Sequence, residues 1–578
     1  MIKKLSHILE KKDLSKIKIL AFLNFLMFIL EFLSIASIPV FIALLISPEF
    51  LINKFNFLNF NELTNNISSK NIIIIFSCFI AFIFLLKGLF LIFLTIFQNK
   101  FLEKTKTKIS TKVFNHYLMM EYINHVEKDP AELARKITAD ISMFGIFIQQ
   151  QFALVREFGA LFVILFLLIW SSPMVILIIS IVLAAVTAIY LIKIKKVLDE
   201  KSNTNKLIAE ENFKTINEIF GSLKDIKILS KENDITDYFN SNIKKLEKNL
   251  FFFQVVEKMP RIVLELISVF ALTSITATLI ISTDDFNSSL PLLALITLSV
   301  FRFIPAFSSI TTAKYYIQIS LPYLASLENV IQEIEKDRKL KTQKIAFAEE
   351  KFAEEFKDKF LLIKNLNFNY TENKISKIKN INFEIKKNST VGIVGKTGAG
   401  KSTLFYLLLG LIQPSSGSIF FNGKNIFSSL DEWRKKTGSV SQNIFLLDNT
   451  IEKNITFNIS NESTDHKRLN KAIKVAQLES KINSLPNGLK TKVGNNGIKL
   501  SGGERQRLAI SRLLYQDPEI IFLDESTNSL DFKTEKLILD SIKENYKDKT
   551  IIMIAHRQSL IEYCDEVWKL ENGKLQNQ

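Results

Sequence analysis

A glycine-rich run, GKTGAGKST, occupies residues 395 to 403, between the apolar stretch TVGIV and the helix-forming LFYLLLGL. Strand, glycine turn and helix in that order make a phosphate-binding loop. Gly395, Lys396, Thr397, Gly398, Ala399 and Gly400 let backbone N–H groups curl around phosphate oxygens. Lys401 offers a point charge to the β and γ phosphates, Ser402 a hydroxyl ligand for Mg2+, and Thr403 a second hydroxyl beside it. Further on, EIIFLDES ends an apolar strand in two carboxylates. Asp524 is placed to hold Mg2+ through water, and Glu525 to orient or deprotonate an attacking water. IIMIAH ends a later strand at His556, and parallel strands deliver their C-terminal ends to one edge of a sheet. Alone, each of these strand ends is compatible with a structural role; beside a phosphate loop they point to nucleotide chemistry. In KLSGGERQRLAI, Ser501, Gly502 and Gly503 open a second helix-forming run whose free N–H groups suit an anion.

These residues must be carried by more than one core, because 578 residues predict two to four domains. The 49 phenylalanines and 48% hydrophobic residues are concentrated before residue 310, and from about 330 the chain alternates as a water-exposed domain does. A bilayer span takes about 20 apolar residues. Six spans are expected, at 18–47, 71–98, 143–170, 173–192, 262–282 and 289–308, inside a transmembrane domain of residues 1–336. The charged first 17 residues, followed by a long apolar stretch, predict an uncleaved membrane helix rather than a signal peptide. Loops 48–70, 170–173 and 282–291 carry few or no cations, whereas 99–142 and 193–258 are lysine-rich. The positive-inside rule therefore places both termini and the C-terminal half in the cytoplasm of a multi-pass cytoplasmic-membrane protein. A net charge of +16 suits nucleic acid or an anionic membrane surface alike, and the placement of the lysines in inner loops selects the membrane and excludes a nucleic-acid partner. Cys78 and Cys564 give neither a disulfide framework nor a metal cluster, as expected in a reducing compartment.

The two inner segments read as helical hairpins reaching roughly 30 to 50 Å beyond the membrane. They would carry turns near 120–130 and 216–226 far into the cytoplasm, where something must dock. Residues 337–359 read as a charged linker. Residues 360–578 read as an α/β domain that opens with antiparallel strands.

The motifs GKTGAGKST, SVSQNIFL, LSGGERQR, IIFLDE, NSLD and IAHR, in that order, resemble those of the ATP-binding cassette (ABC) transporters. The resemblance is to exporter half-transporters with six membrane helices fused to one cassette, and it covers nearly the whole chain. It implies an all-α transmembrane domain followed by an α/β P-loop NTPase domain with an antiparallel β subdomain and a helical subdomain. It also implies ATP and Mg2+ as cofactors. Tyr370 then resembles the aromatic that stacks on adenine, and Gln442 the residue that senses Mg2+ and the γ-phosphate. His556 resembles the γ-phosphate contact, Asp531 the residue that couples two sites, and Ser501, Gly502 and Gly503 the signature loop. In this family the signature reaches ATP held by a second subunit, so a homodimer is implied. One departure is TKVGNNG: Asn495 stands where such exporters often carry an acid.

Within the apolar half, Glu31 and Lys87 sit roughly 20 and 17 Å from the cytoplasmic ends of their spans and are level. A charge at the bilayer centre costs about 3 kcal/mol, so an interhelical ion pair is expected, with proton coupling or substrate contact as the other reading. Glu257 and Arg261 are spaced for an i,i+4 pair. Arg156, Arg261 and Arg302 facing one cavity would suit a phosphate or pyrophosphate headgroup. LEFLSIASIPVF and FRFIP are similar to segments of exporters that flip lipid-linked oligosaccharides. The expected activity is ATP-driven export or flipping of an amphipathic substrate, a lipid or lipid-linked saccharide. Export of peptides or hydrophobic small molecules, a non-transport ABC ATPase and a regulated channel are the other readings.

Overall fold

A computed structural model describes residues 8–46, 69–126, 128–171, 173–282, 290–348, 358–370, 376–458, 463–524, 530–554 and 561–577. Glu525, His556, most of the three polar loops and part of the linker lie outside the described residues. The chain divides into two compact units, 1–120 with 127–337, and 121–126 with 338–578.

The first unit is helical: α1 (Lys11–Ile46), α2 (Ser69–Leu118), α4 (Pro130–Ser171), α5 (Pro173–Gly221), α6 (Leu223–Ile228), α7 (Glu232–Ser282) and α8 (Leu290–Ala348). The 50 residues of α2 extend about 75 Å at helical rise, well over twice the hydrocarbon thickness of a bilayer. Among the described residues, Lys11–Ile42, Ile73–Leu118 and Pro130–Phe166 are long and apolar enough to cross a membrane. On α2, Ile74, Phe79, Phe82, Leu85, Leu89 and Ile92 are all more than half exposed. So large an apolar face has no place in water and fits lipid. The linker expected over 337–359 begins as helix, because KDRKLKTQKIAFA contains neither Gly nor Pro and α8 runs on to Ala348.

Packing within this unit joins α1, α2 and α4 to one another and pairs α5 with α7. Its main cluster draws Leu20 and Met27 from α1, Leu94 and Leu102 from α2, Phe144 and Phe147 from α4, and Leu327 and Ile331 from α8. Two prolines, Pro305 and Pro322, lie inside α8. Pro322 has no N–H to give the carbonyl of Gln318 one turn before it. Ser202 of α5, itself buried, donates its hydroxyl to that carbonyl at 3.3 Å, and Lys206 donates to the Pro322 carbonyl at 3.3 Å. A side chain of the neighbouring helix thus replaces the missing rung.

The second unit holds two sheets. In the first, β1 (Leu361–Asn369), β2 (Ser376–Ile385), β4 (Ser416–Phe421) and β5 (Lys424–Asn425) lie in the order β2-β1-β4-β5, all antiparallel. In the second, β3 (Thr390–Val394), β6 (Thr437–Val440), β7 (Ile520–Asp524), β8 (Thr550–Ile554), β9 (Glu566–Glu571) and β10 (Lys574–Asn577) lie in the order β10-β9-β3-β8-β7-β6. All its pairs are parallel except β9 with β10. Helix α9 (Lys401–Leu408) seals the two sheets together, and Phe405 meets Phe522 of β7 edge to face at 5.3 Å. The indole of Trp433, on α10 (Leu430–Lys436), donates to the otherwise free Leu408 carbonyl at the end of α9, at 3.0 Å. A helical subdomain of α11 (Ile451–Thr456), α12 (His466–Val475), α13 (Glu479–Ser484) and α14 (Gly502–Gln516) closes on Ile455, Leu469, Ile473, Ile482 and Leu508. Helix α15 (Phe532–Asn545) covers the other side of β7 and β8. Short helix α3 (Tyr122–Val126) belongs to this second unit, its Ile123 packed on the core of the two sheets.

Ser202→Ala should lower stability by about 1 kcal/mol, because it orphans a partly buried carbonyl. In a Pro322→Ala background, where the backbone N–H returns, the same change should cost less. Thermal unfolding of the four proteins in nanodiscs measures both costs, and equal costs would show that the hydroxyl is not the replacement rung.

Candidate functional site

Parallel register assembles the site. Ile393 of β3 and Asp524 of β7 both align with Ile554 of β8, and Val440 of β6 aligns with Leu523. The phosphate loop after β3, Asp524, the chain leading to His556 and the chain leading to Gln442 therefore leave one edge of the sheet together. Gln442 is exposed and Asp524 half-buried.

The loop's shape excludes side chains. A Cβ at Gly395 would meet the Leu570 carbonyl oxygen at 2.4 Å. One at Gly400, where φ is +106°, would meet the Lys377 carbonyl oxygen at 2.9 Å. Lys401 is buried and its ammonium donates to the carbonyls of Gly395 at 2.7 Å and Lys396 at 3.1 Å. The lysine thus closes the ring of the loop. Lys396, Thr397 and Gly398 form the turn, which the Ala399 N–H closes by donating to the Lys396 carbonyl at 3.1 Å. Ser402 is exposed and Thr403 buried. The Thr403 hydroxyl lies 3.3 Å from that of Tyr370, whose ring stands edge-on to Phe368 at 4.9 Å. A cradle of this size, floored by amides and a buried ammonium, fits a nucleoside triphosphate, and hydroxyl plus carboxylate at its edge fit Mg2+.

Ser501 is the N-cap of α14, and its backbone and side chain form a capping box with Glu504. The Ser501 hydroxyl accepts from the Glu504 N–H at 3.3 Å, and the Ser501 N–H donates to Glu504 Oε2 at 2.8 Å. The Ser501 side chain also bonds the Glu504 carboxylate, so the groups left to face an anion at this helix start are the backbone N–H groups of Gly502 and Gly503. Burial would raise the Glu504 carboxyl, but the Ser501 N–H and the Lys481 ammonium, 2.9 Å away, outweigh it and hold the group below its ordinary value. Asp531 caps α15 by accepting from the Thr534 N–H at 3.0 Å, and this bond keeps its carboxyl low.

Two connections are invisible in the motifs. Arg512 of α14 donates to the Asn454 carbonyl at 2.8 Å, the Phe445 carbonyl at 3.2 Å and Asn454 Oδ1 at 3.2 Å. It ties the signature helix to the segment three residues beyond Gln442. The loop 491–497 is bound to the same segment: Val493 N–H donates to the Asn449 carbonyl at 3.0 Å and Leu446 N–H to Asn496 Oδ1 at 3.4 Å. Asn495 itself is exposed.

In the first unit the expected Glu31–Lys87 pair is present at 2.9 Å, within a larger cluster. Arg302 of α8 reaches Glu31 at 2.7 Å and Glu157 at 3.7 Å, and Arg156 reaches Glu157 at 3.1 Å. Glu31 and Glu157 are buried, whereas the Arg156 and Arg302 side chains remain about one-third exposed, at 33% and 32%. Three cations surround two carboxylates. Glu257 and Arg261, spaced for an ion pair, form none among the described residues, and Arg261 is exposed.

Residues 22–304 match the family described as ABC transporter transmembrane region, and residues 378–528 match the family described as ABC transporter. An export ATP-binding/permease protein of Rickettsia typhi is 30% identical over 526 residues, 88% of this chain and 87% of its own length. The chain belongs to the ABC transporter family. An ATP-dependent lipid A-core flippase of Idiomarina loihiensis is 28% identical to this ABC transporter over 88% of the chain and 85% of the relative. A solved structure of a bacterial Atm1-family ABC exporter with ATP bound shares its fold, with a TM-score of 0.73 at 19% identity, covering 96% of this chain and 93% of the other. This ABC transporter is thus an exporter-type half-transporter, a membrane protein in which one helical transmembrane region and one ATP-binding cassette are fused. Its activity is ATP hydrolysis coupled to transport. Half-transporters of this kind typically work as dimers.

Two predictions arise here. Glu31→Gln should destabilise the transmembrane unit by about 3–5 kcal/mol by leaving Lys87 and Arg302 short of a carboxylate, and adding Lys87→Met should recover part of the loss. A double-mutant cycle of unfolding in nanodiscs checks this, and additive costs would refute it. The second concerns pH. Because the folded Glu504 carboxyl lies below its unfolded value, its contribution is present above that unfolded value and is lost as pH falls through the folded one. Lys481→Met, which removes the ammonium that helps hold the carboxyl low, should flatten the acid limb of cassette stability, as measured by thermal unfolding between about pH 3 and 6.

Proposed function

We propose that two copies of this chain form a homodimeric flippase of the cytoplasmic membrane. Its substrate is an amphipathic lipid with an anionic headgroup, a lipid-linked saccharide among the candidates. The observation that carries the substrate class is the cluster of Arg156, Arg302 and Lys87 around Glu31 and Glu157. Its cations outnumber its carboxylates, and both guanidinium groups remain partly accessible in the apolar unit. A phosphate would complete that balance, whereas a neutral hydrophobic molecule would leave the surplus charge in lipid. The full-length similarity to a protein named as a lipid A-core flippase supports the same reading.

In the cassette, Tyr370 stacks on adenine while Lys396 to Gly400 present amides to the phosphates. Lys401 and Thr403 add a charge and a hydroxyl. Ser402, Asp524 and Gln442 would hold Mg2+, which would supply neutralisation of the phosphate charge. Glu525 orients and deprotonates the attacking water, and His556 contacts the γ-phosphate. Ser501, Gly502 and Gly503 act on the nucleotide of the other subunit, so two nucleotides lie in the seam of the dimer and Asp531 couples the two sites across it. Both termini and the cassette face the cytoplasm. The intact acid at 525 and the intact LSGGE on one chain favour two equal sites.

Glu525→Gln should abolish steady ATP turnover, a loss of at least about 100-fold, while preserving ATP binding. The wild-type transporter in liposomes, assayed against a panel of anionic lipids, lipid-linked sugars, neutral lipids and peptides, should show ATPase stimulation by the anionic amphiphiles. Stimulation by peptides alone would replace the substrate class. Ion currents without matching hydrolysis would replace transport by a channel.

A further inference from the structure

The phosphate-loop helix α9 carries one tyrosine to which the site above assigns no part. Tyr406 follows Thr403 by three residues, so the two side chains share a helix face. On one side, the Tyr406 ring meets that of Tyr122 edge to face, centroids 5.5 Å apart at 65°. Tyr122 opens α3, whose chain continues directly to α2 on one side and α4 on the other. On the other side, Thr403 is bonded to Tyr370 at 3.3 Å. Burial raises the Tyr406 phenol, and Tyr122, Asp524 and Tyr370 add to the shift.

We propose that Tyr406 is a positioning residue that makes α3 respond to the nucleobase, through the path Tyr370–Thr403–Tyr406–Tyr122. The proposal rests on the adenine role of Tyr370. A base stacked on Tyr370 fixes the plane of its ring, and the hydroxyl contact passes that restraint to Thr403. One turn of hydrogen-bonded helix is stiff, so Tyr406 is fixed with Thr403. The edge-to-face contact then restrains Tyr122, because ring pairs of this kind have a narrow preferred geometry. The phosphates, bound by loop amides, Lys401 and the Thr403 hydroxyl, restrain the start of α9 without Tyr370, and the base adds the restraint that comes through the Tyr370 ring. The response of α3 should therefore differ between a complete nucleotide and a bare polyphosphate. By reciprocity, whatever binding does to α3, restraint of α3 does to binding.

Hydrogen exchange of the full-length transporter in nanodiscs tests this, with Mg2+ and either the β,γ-imido analogue of ATP or inorganic tripolyphosphate. In the wild type, the analogue should slow exchange at 121–126 at least about fivefold more than tripolyphosphate does. Tyr406→Leu should erase that difference while analogue-induced protection of 395–403 persists, and Tyr406→Phe, which keeps the ring, should restore it. Tyr122→Leu repeats the test from the far side should Tyr406→Leu fold poorly. No difference between the two probes in the wild type, or a difference unchanged in both leucine variants, overturns the proposal. Tyr370→Ala separates the two levels. Unchanged affinity for the analogue would remove the adenine role itself, whereas reduced affinity with an unchanged response in the leucine variants would remove only the relay.

Discussion

Parallel pairing of β3, β8, β7 and β6 is the constraint on which the cassette depends. Parallel strands leave from the same edge, so residues far apart in sequence are delivered to one place by backbone hydrogen bonds alone. The phosphate loop sits at that edge because β3 ends there, and Asp524 is beside it because β7 is one strand removed across β8. Strands β3, β7 and β8 are almost wholly buried, and β6 exposes one residue of its four. A one-residue slip would exchange side chains between the two different clusters packed on the two faces of the sheet and break the fit of both.

The transmembrane unit obeys a different constraint. Lipid offers no hydrogen bonds, so every polar group there must find its partner within the protein. The five-residue charge cluster answers this with carboxylates set between cations, and Lys87 also donates to the Ser34 hydroxyl at 3.2 Å. The two units therefore solve the same problem, satisfaction of polar groups, by backbone ladders in one and by side-chain clusters in the other.

Much of this was legible in the sequence because it is local. GKTGAGKST declares its own fold through the glycines and the flanking apolar runs, and LSGGE declares both a helix start and a family. The Glu31–Lys87 pair could be inferred from depth, since both residues sit at comparable distances along their spans. What could not be read is long-range side-chain geometry. Arg302 finds Glu31 across 271 residues, and Arg512 finds the Phe445 carbonyl across 67. No local pattern encodes either meeting. The i,i+4 spacing of Glu257 and Arg261 shows the converse, since favourable spacing alone did not produce a pair. The continuation of α8 beyond the expected domain boundary has a similar lesson: a charged segment free of Gly and Pro is a helix before it is a linker.

The hydroxyl of Ser202 and the ring of Pro322 belong to different helices, yet they form one backbone hydrogen-bonding unit. Their histories of change should be joined: a chain that loses the proline releases position 202 to drift, and a chain that keeps it holds that position to a small donor. The pair thus offers a marker by which the α5–α8 pairing can be traced through related sequences.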